Sequence, residues 1–261
     1  MSSDAATPAD TEDADLERRF GGLRRLYGDA AYARLRGLAV AVVGVGGVGS
    51  WAAEALARSG VATLVLIDLD HVAESNINRQ VQALSPTVGQ AKVAALQDRI
   101  ALIHPGCQVW PVEAFVEPET WPQTLPRPVD VLIDACDQVR AKLALAAWAR
   151  SSGTPLVTVG AAGGKRLPQR VEVDDLAATT HDPLLSSLRQ RLRREQGAPR
   201  TGTMGVRCVF SRESVALPTG NDCAVDGSLN CHGYGSSVTV TATFGMTAAA
   251  EAIALALASK L

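Results

Sequence analysis

Residues 38–59 constrain this chain more than any other stretch. Leu38–Val43 is an unbroken apolar run of strand length that ends directly in Gly44-Val45-Gly46-Gly47-Val48-Gly49. The Ala-rich segment Ser50–Ser59 follows and reads as a helix closed by Gly60. Strand, tight glycine turn and helix, in that order, open a doubly wound α/β domain. The helix start offers unpaired N–H groups and the positive end of its dipole to an anion. The spacing G-x-G-x-x-G lets the backbone turn sharply and approach a phosphate closely, which makes Gly44, Gly46, Gly47 and Gly49 candidate nucleotide contacts.

The alternation continues downstream. Thr63–Ile67, residues 108–112, 129–133 and 156–159 read as strands, and residues 90–102 and 139–150 as helices. Alternating strands and helices imply βαβ units and a mostly parallel sheet, a Rossmann-like core over residues 16–160. From about Gly160 the pattern turns Gly-rich, basic and loop-like. Residues 161–261 therefore read as a basic C-terminal extension of the same domain. Ahead of the core, residues 1–15 read as a disordered acidic tail. Leu16–Leu35 reads as a charged helical segment interrupted at Phe20-Gly21-Gly22. The apolar stretch Ser237–Leu261 carries several threonines, Gly245 and Glu251, and reads as a buried helix broken near Gly245 rather than a membrane span.

Composition excludes some classes. The net charge of −2 gives no global field that would favour nucleic acid, so any basic surface must be local. Five cysteines, an odd count with no C-x-x-C pair, argue against a disulfide framework and for a reducing compartment. With no apolar leader in the acidic start, the expected location is the cytoplasm.

Three further motifs carry chemistry. Asp70, just past the second strand, or Asp68 at its end, stands where an acid hydrogen-bonds a ribose hydroxyl. That feature suits a nicotinamide dinucleotide and ATP alike, and Asp68 could equally cap a turn. Glu74-Ser-Asn76-Ile-Asn78-Arg79-Gln80, followed by Gly89-Gln-Ala-Lys92, discriminates between the two. Fixed cations beside the phosphates suit an enzyme that breaks a triphosphate, because charge accumulates on the departing pyrophosphate. A dehydrogenase has no such need. Asn76, Asn78, Arg79, Gln80 and Lys92 thus join the candidate nucleotide contacts. In Asp134-Ala-Cys-Asp137, which follows the fourth strand, Asp137 could hold Mg²⁺ through waters against the phosphates, or cap the next helix.

Taken in order over about Arg19–Lys142, GVGGVGS, DLD, SNINRQ, GQAK and DACD resemble the superfamily of ubiquitin-activating enzymes and bacterial sulfur-carrier activators. The resemblance implies ATP contacts from Gly47, Asp70, Asn76, Arg79, Gln80 and Lys92, and a magnesium role for Asp137. It also implies a homodimer in which Arg19 reaches the partner's ATP. Sulfur-carrier activators hold structural zinc with two C-x-x-C pairs, which are missing here, so no structural zinc is expected. RRFGGLRRLYG, PLVTVGAAGG, DPLLSSLRQRLRR, GVRCVFSRE and the Cys231–Gly235 loop instead resemble the tRNA threonylcarbamoyladenosine dehydratases. That branch implies adenylation of a threonyl carboxylate on a modified adenosine beside the anticodon, followed by intramolecular ring closure. It leaves room for a monovalent cation and for a cysteine-desulfurase sulfur-acceptor protein as partner. The competing reading is an enzyme that adenylates the C-terminus of a small sulfur-carrier or ubiquitin-like protein.

Lys165–Arg212 holds ten Lys/Arg against five Asp/Glu, a local +5 that fits an RNA backbone or else a solvated helix face. Its candidate RNA contacts are Lys165, Arg166, Arg189, Arg191, Arg193 and Arg194. Cys231, beside His232 in a Gly-rich loop, is open to three readings: an acyl-accepting nucleophile, a part of the substrate pocket, or a structural thiol.

Overall fold

Apolar runs bounded by turn signals become strands here because helices cover them on both faces. The computed structural model describes residues 15–216 and 234–258. β1 (Ala39–Val43) and β2 (Thr63–Ile67) are buried at every position and pair in parallel, with Ala39 opposite Thr63 and Val43 opposite Ile67. Continuous Val, Leu and Ile are what a strand covered on both faces requires. With β3 (Gln108–Val112), β4 (Val131–Asp134), β5 (Leu156–Val159), β6 (Val171–Asp175) and β7 (Arg207–Ser211) they form one seven-stranded sheet. Its order is β3-β2-β1-β4-β5-β7-β6. Only the β6–β7 pair is antiparallel.

The sheet therefore runs on past residue 160, where the sequence suggested loops. β6 reads VEVDD, too acidic to look like a strand, and it lies half-buried at the sheet edge beside β7. One face of the sheet packs against α3 (Gly49–Arg58), α4 (Lys92–Ile103) and α7 (Val238–Ala258) through Val40, Val42, Leu64 and Leu66. The opposite face packs against α5 (Val139–Ser152) and α6 (Pro183–Glu195) through Ala41, Val43, Val65 and Leu132.

Of two expected helix breaks, one falls elsewhere and the other does not occur. α1 (Leu16–Tyr27) runs straight through Phe20-Gly21-Gly22 and ends at Gly28, whose φ of 81° suits glycine; α2 (Asp29–Leu35) starts there. α7 likewise continues through Gly245. A Cβ at that position would lie 2.8 Å from Trp51 Cβ and 2.9 Å from Ala52 N, so the glycine lets α7 press against α3. α7 is long and apolar enough to cross a membrane, yet half of it is buried, with Val240, Phe244, Ala248 and Ala252 in the core.

Candidate functional site

The carboxyl ends of β1, β2, β4 and β5 open into one cleft of about 440 Å³. Open α/β sheets bind ligands at this edge, where strand order reverses about β1. The glycine turn forms its floor. Gly44 has φ +80°, and a Cβ on it would stand 2.9 Å from both Ala135 O and Cys136 N; a Cβ on Gly49 would run into Gly44 O. The turn is held by Asp68, whose Oδ2 accepts from Val45 N at 2.8 Å and whose Oδ1 accepts from Asp70 N at 2.9 Å. Burial raises the Asp68 pKa above the usual carboxylate value. Asp68 and Asp70 both line the cleft, but both Asp68 oxygens serve the backbone, so Asp70 is the one of the two whose carboxylate is not committed to the glycine turn.

Lys92 opens α4, where the helix dipole disfavours a cation. Its Nζ lies 2.6 Å from Asp70 Oδ2, and its N–H donates to Asp70 O at 3.0 Å. That pairing explains how a nearly buried lysine tolerates the position. Arg79 lies along the glycine turn, because Gly47 offers no side chain: a Cβ there would be 3.4 Å from Arg79 Cγ and Cδ. Its Nη1 donates to Ser75 O and Asn78 Oδ1, both at 2.9 Å, and burial lowers its pKa. Gln80 also lines the cleft, as does Asp137, which leaves the end of β4.

Several candidates stand behind the cleft rather than in its wall. Gly49 starts α3. Asn76 Oδ1 accepts from Ala73 N at 3.0 Å and shapes the turn, and Asn78 Nδ2 donates to Ser236 O at 3.1 Å. Arg19 Nη1 donates to Ile103 O at 2.6 Å, at the far end of α4 from Lys92. A helix of that length separates the two by roughly 16 Å, so Arg19 does not serve the cleft of its own chain.

The basic segment is less available than its charge suggests. Lys165 is 2% exposed, and its Nζ donates to the carbonyls of His181 (3.4 Å), Ser211 (3.1 Å) and Glu213 (2.8 Å). Arg189 Nη1 donates to Leu176 O at 3.1 Å and to Thr179 O and Oγ1 at 2.9 Å. Both hold the fold and leave the set of RNA-facing cations. Arg191 forms a two-pronged pair with Glu195, Arg194 shares that carboxylate, and the two arginines pull its pKa down to about 2. Arg193 donates to Pro199 O and Arg200 O, both at 3.2 Å. Arg166 and Arg194 remain exposed.

Some cleft residues were not singled out in the sequence, although several lie inside the segments that carry the dehydratase resemblance. Phe115 projects beyond β3; Gly160–Gly163 follow β5; Leu184 lies in the first turn of α6; Tyr234 and Ser236 precede α7. The usable signal was positional, since each of the first two groups follows the carboxyl end of a strand. Beneath them, Lys142 Nζ donates to Asp134 Oδ1 (3.1 Å), Thr158 Oγ1 (3.3 Å) and Val159 O (2.7 Å). Burial works against the ammonium, but Asp134, aided by Cys136 and Asp182, outweighs it and raises its pKa. Among the described residues no three His, Cys, Asp or Glu gather as a metal cluster. Cys231 lies outside the described residues.

The chain is similar to the tRNA threonylcarbamoyladenosine dehydratase of Escherichia coli, at 44% identity over 247 residues, 90% of this chain and 92% of that protein. The Haemophilus influenzae protein of the same name is 39% identical over 243 residues, 92% and 93% of the two chains. The crystal structure of E. coli tRNA N6-threonylcarbamoyladenosine dehydratase in complex with ATP matches the fold with a TM-score of 0.85. That match has 43% identity and covers 94% of this chain and 96% of the other. Residues 19–260 match the ThiF family, and the chain belongs to that family, with the tRNA threonylcarbamoyladenosine dehydratases as its near relatives.

Proposed function

We propose that this chain is an ATP-dependent tRNA threonylcarbamoyladenosine dehydratase. The observation that carries the reading is one cleft in which the glycine turn, Asp70, Arg79, Lys92 and Asp137 converge, in a chain matched over 90% of its length by an enzyme of that name. ATP fits this wall. The turn is bare of side chains where phosphates would lie, Asp70 would meet the ribose, and Arg79 and Lys92 would supply the cations. Asp137 would hold Mg²⁺, which usually takes one or two carboxylates beside substrate phosphates, so a single acid suffices. When bound, that ion would neutralise charge on the phosphates.

The substrate carboxylate is a poor electrophile until its oxygen becomes part of a good leaving group. One carboxylate oxygen attacks the α-phosphorus of ATP, the bond to the β-phosphate oxygen breaks, and pyrophosphate departs against Arg79 and Lys92. A carbamoyl atom of the same side chain then attacks the acyl carbon, closes a five-membered ring, loses a proton and expels AMP. The oxygen removed leaves on AMP, so the elements of water are lost from the nucleoside. Intramolecular closures of this kind reach effective molarities of roughly 10⁵–10⁸ M, and no enzyme thiol is required.

The chain is proposed to act as a homodimer in the cytoplasm, with Arg19 of each subunit offered to its partner's ATP. Exposed cations such as Arg166 and Arg194 would meet the tRNA backbone. Mass spectrometry of tRNA nucleosides after incubation with enzyme and ATP tests the reading. Threonylcarbamoyladenosine is expected to lose one water while AMP and pyrophosphate form. Pyrophosphate released with a carrier-protein C-terminus, and tRNA left unchanged, would move the assignment to the sulfur-carrier activators.

A further inference from the structure

The proposed reaction brings two adenines to one cleft, that of ATP and that of the modified nucleotide, and the sheet separates places for them. Asp70 follows β2 and Phe115 follows β3, at one end of the cleft, whereas Gly160–Gly163 follow β5. β3 and β5 are four strand spacings apart, roughly 19 Å. The glycine turn after β1 and Asp137 after β4 lie between, where phosphates would sit. A carboxylate that attacks the α-phosphorus must therefore arrive from the β5 side, with its own base beyond it.

That side carries an aromatic ring, Tyr234, beside a hydrogen-bonded stretch of backbone. Tyr234 lines the cleft opposite two glycines without side chains: a Cβ would lie 3.5 Å from Tyr234 Cβ at Gly163 and 3.3 Å from Tyr234 Cδ1 at Gly164. Gly164 N donates to Gly235 O at 2.9 Å and Asn78 Nδ2 donates to Ser236 O at 3.1 Å, tying down the two residues that follow Tyr234. The short segment of Tyr234 thus bridges the phosphate-binding half of the cleft and the loop after β5. Lys142, bonded to Val159 O and Asp134, anchors the strand ends beneath that loop.

Resting on the dehydratase reading, we infer that Tyr234 is the platform on which the adenine of the modified nucleotide stacks once it swings out of the anticodon loop. Proteins read single-stranded RNA loops in this way, on aromatic rings that any base can cover. Losing one such ring typically weakens binding about 5- to 150-fold. The ring also orients the nucleotide, since a base held flat over β5 directs its threonyl arm toward β4 and the α-phosphate.

Steady-state kinetics of the full chain on threonylcarbamoylated tRNA, with ATP affinity measured separately by calorimetry, test the inference. Tyr234→Ala is expected to raise KM for tRNA about 5- to 150-fold while its Kd for ATP stays within about twofold of wild type. Tyr234→Phe should recover most of that loss, because a phenyl ring stacks as a phenol does. Tyr234→Leu, which keeps the bulk, should behave like Ala and stands in for it should the Ala chain fail to fold. An unchanged KM for tRNA in the Ala or Leu variant overturns the assignment. So does a Kd for ATP that worsens in step with KM, which marks a mere wall, or a Phe variant as impaired as Ala. Those failures leave wild-type turnover of tRNA intact, whereas a wild-type enzyme that converts no tRNA sinks the dehydratase reading together with this one.

Discussion

Lys142 and Asp134 form an ion pair with neither side chain exposed to water, Nζ standing 3.1 Å from Oδ1. The pair joins the ends of β4 and β5, from which Asp137 and the Gly160–Gly163 loop enter the cleft. Charges so buried are retained at a desolvation cost, and breaking the pair from one side strands the other charge. Lys142→Met is expected to lose about 3–5 kcal/mol of stability in urea denaturation. Adding Asp134→Asn should restore part of it, a non-additivity expected of contacting residues. Strictly additive losses would mean that the two charges do not depend on each other.

Arg79→Ala, Lys92→Ala and Asp137→Ala should each lower turnover by about 10²–10³-fold, the usual cost of one preorganised charge contact. Folding should survive in each, as judged by circular dichroism. Near-normal dehydration by any two of the three would remove the proposed site.

The arginines of the second half divide by what they touch. Arg166→Ala and Arg194→Ala should each reduce the salt dependence of tRNA binding by about 0.7–0.9 log units per decade of salt. Arg189→Ala should leave that slope alone and instead cost about 1–3 kcal/mol of stability, since the carbonyl of buried Thr179 would lose the donor that Arg189 supplies. Equal slope changes in all three would return Arg189 to the RNA surface.

His104 gives the fold a pH limit. It is 1% exposed and packed against Phe20 with the two rings tilted at 59°, and its Nε2 lies 3.2 Å from Arg36 Nη1. Burial, then Arg36 and Arg19, lowers its pKa from 6.5 to about 4. The unfolded chain takes up a proton that the folded chain refuses, so stability is full above pH 6.5 and falls progressively as pH drops toward 4. Replacing His104 by Leu, which cannot titrate, should flatten this limb of the stability–pH curve. A limb of unchanged slope would assign it to carboxylates.

The proposed dimer and site are tested together by subunit mixing. Arg19→Ala and Lys92→Ala homodimers should each be nearly inactive. After random exchange about half the dimers are mixed, and each mixed dimer has one site with Lys92 from one chain and Arg19 from the other. Activity should recover to about a quarter of wild type, because one site in two works in half the dimers. Differently tagged chains would verify exchange, and exchange without recovery would place Arg19 outside the partner's site.

The sequence by itself determined the nucleotide half of this protein. An apolar strand, a glycine turn and a helix are local features, and β2, β3 and β5 stand at the residues their runs indicate. Asp70 and Asp137 follow strand ends and Lys92 begins a helix, so their spacing along the chain already brings them to one edge of the sheet, where the turn carrying Arg79 joins them. What tertiary structure decided was which polar groups remained for chemistry. Charge content marked Lys165 and Arg189 as RNA contacts, but only the folded chain revealed the buried carbonyls that occupy them. Asp68 and Asp70 were equivalent until the backbone of the glycine turn claimed Asp68. Gly245 looked like a helix break because nothing local records that α3 presses against it. Tyr234 enters the cleft through contacts with Gly164 and with the loop of Asn78, far away along the chain. Long-range packing and competition for hydrogen bonds have no local signature, which is why those assignments waited for the fold.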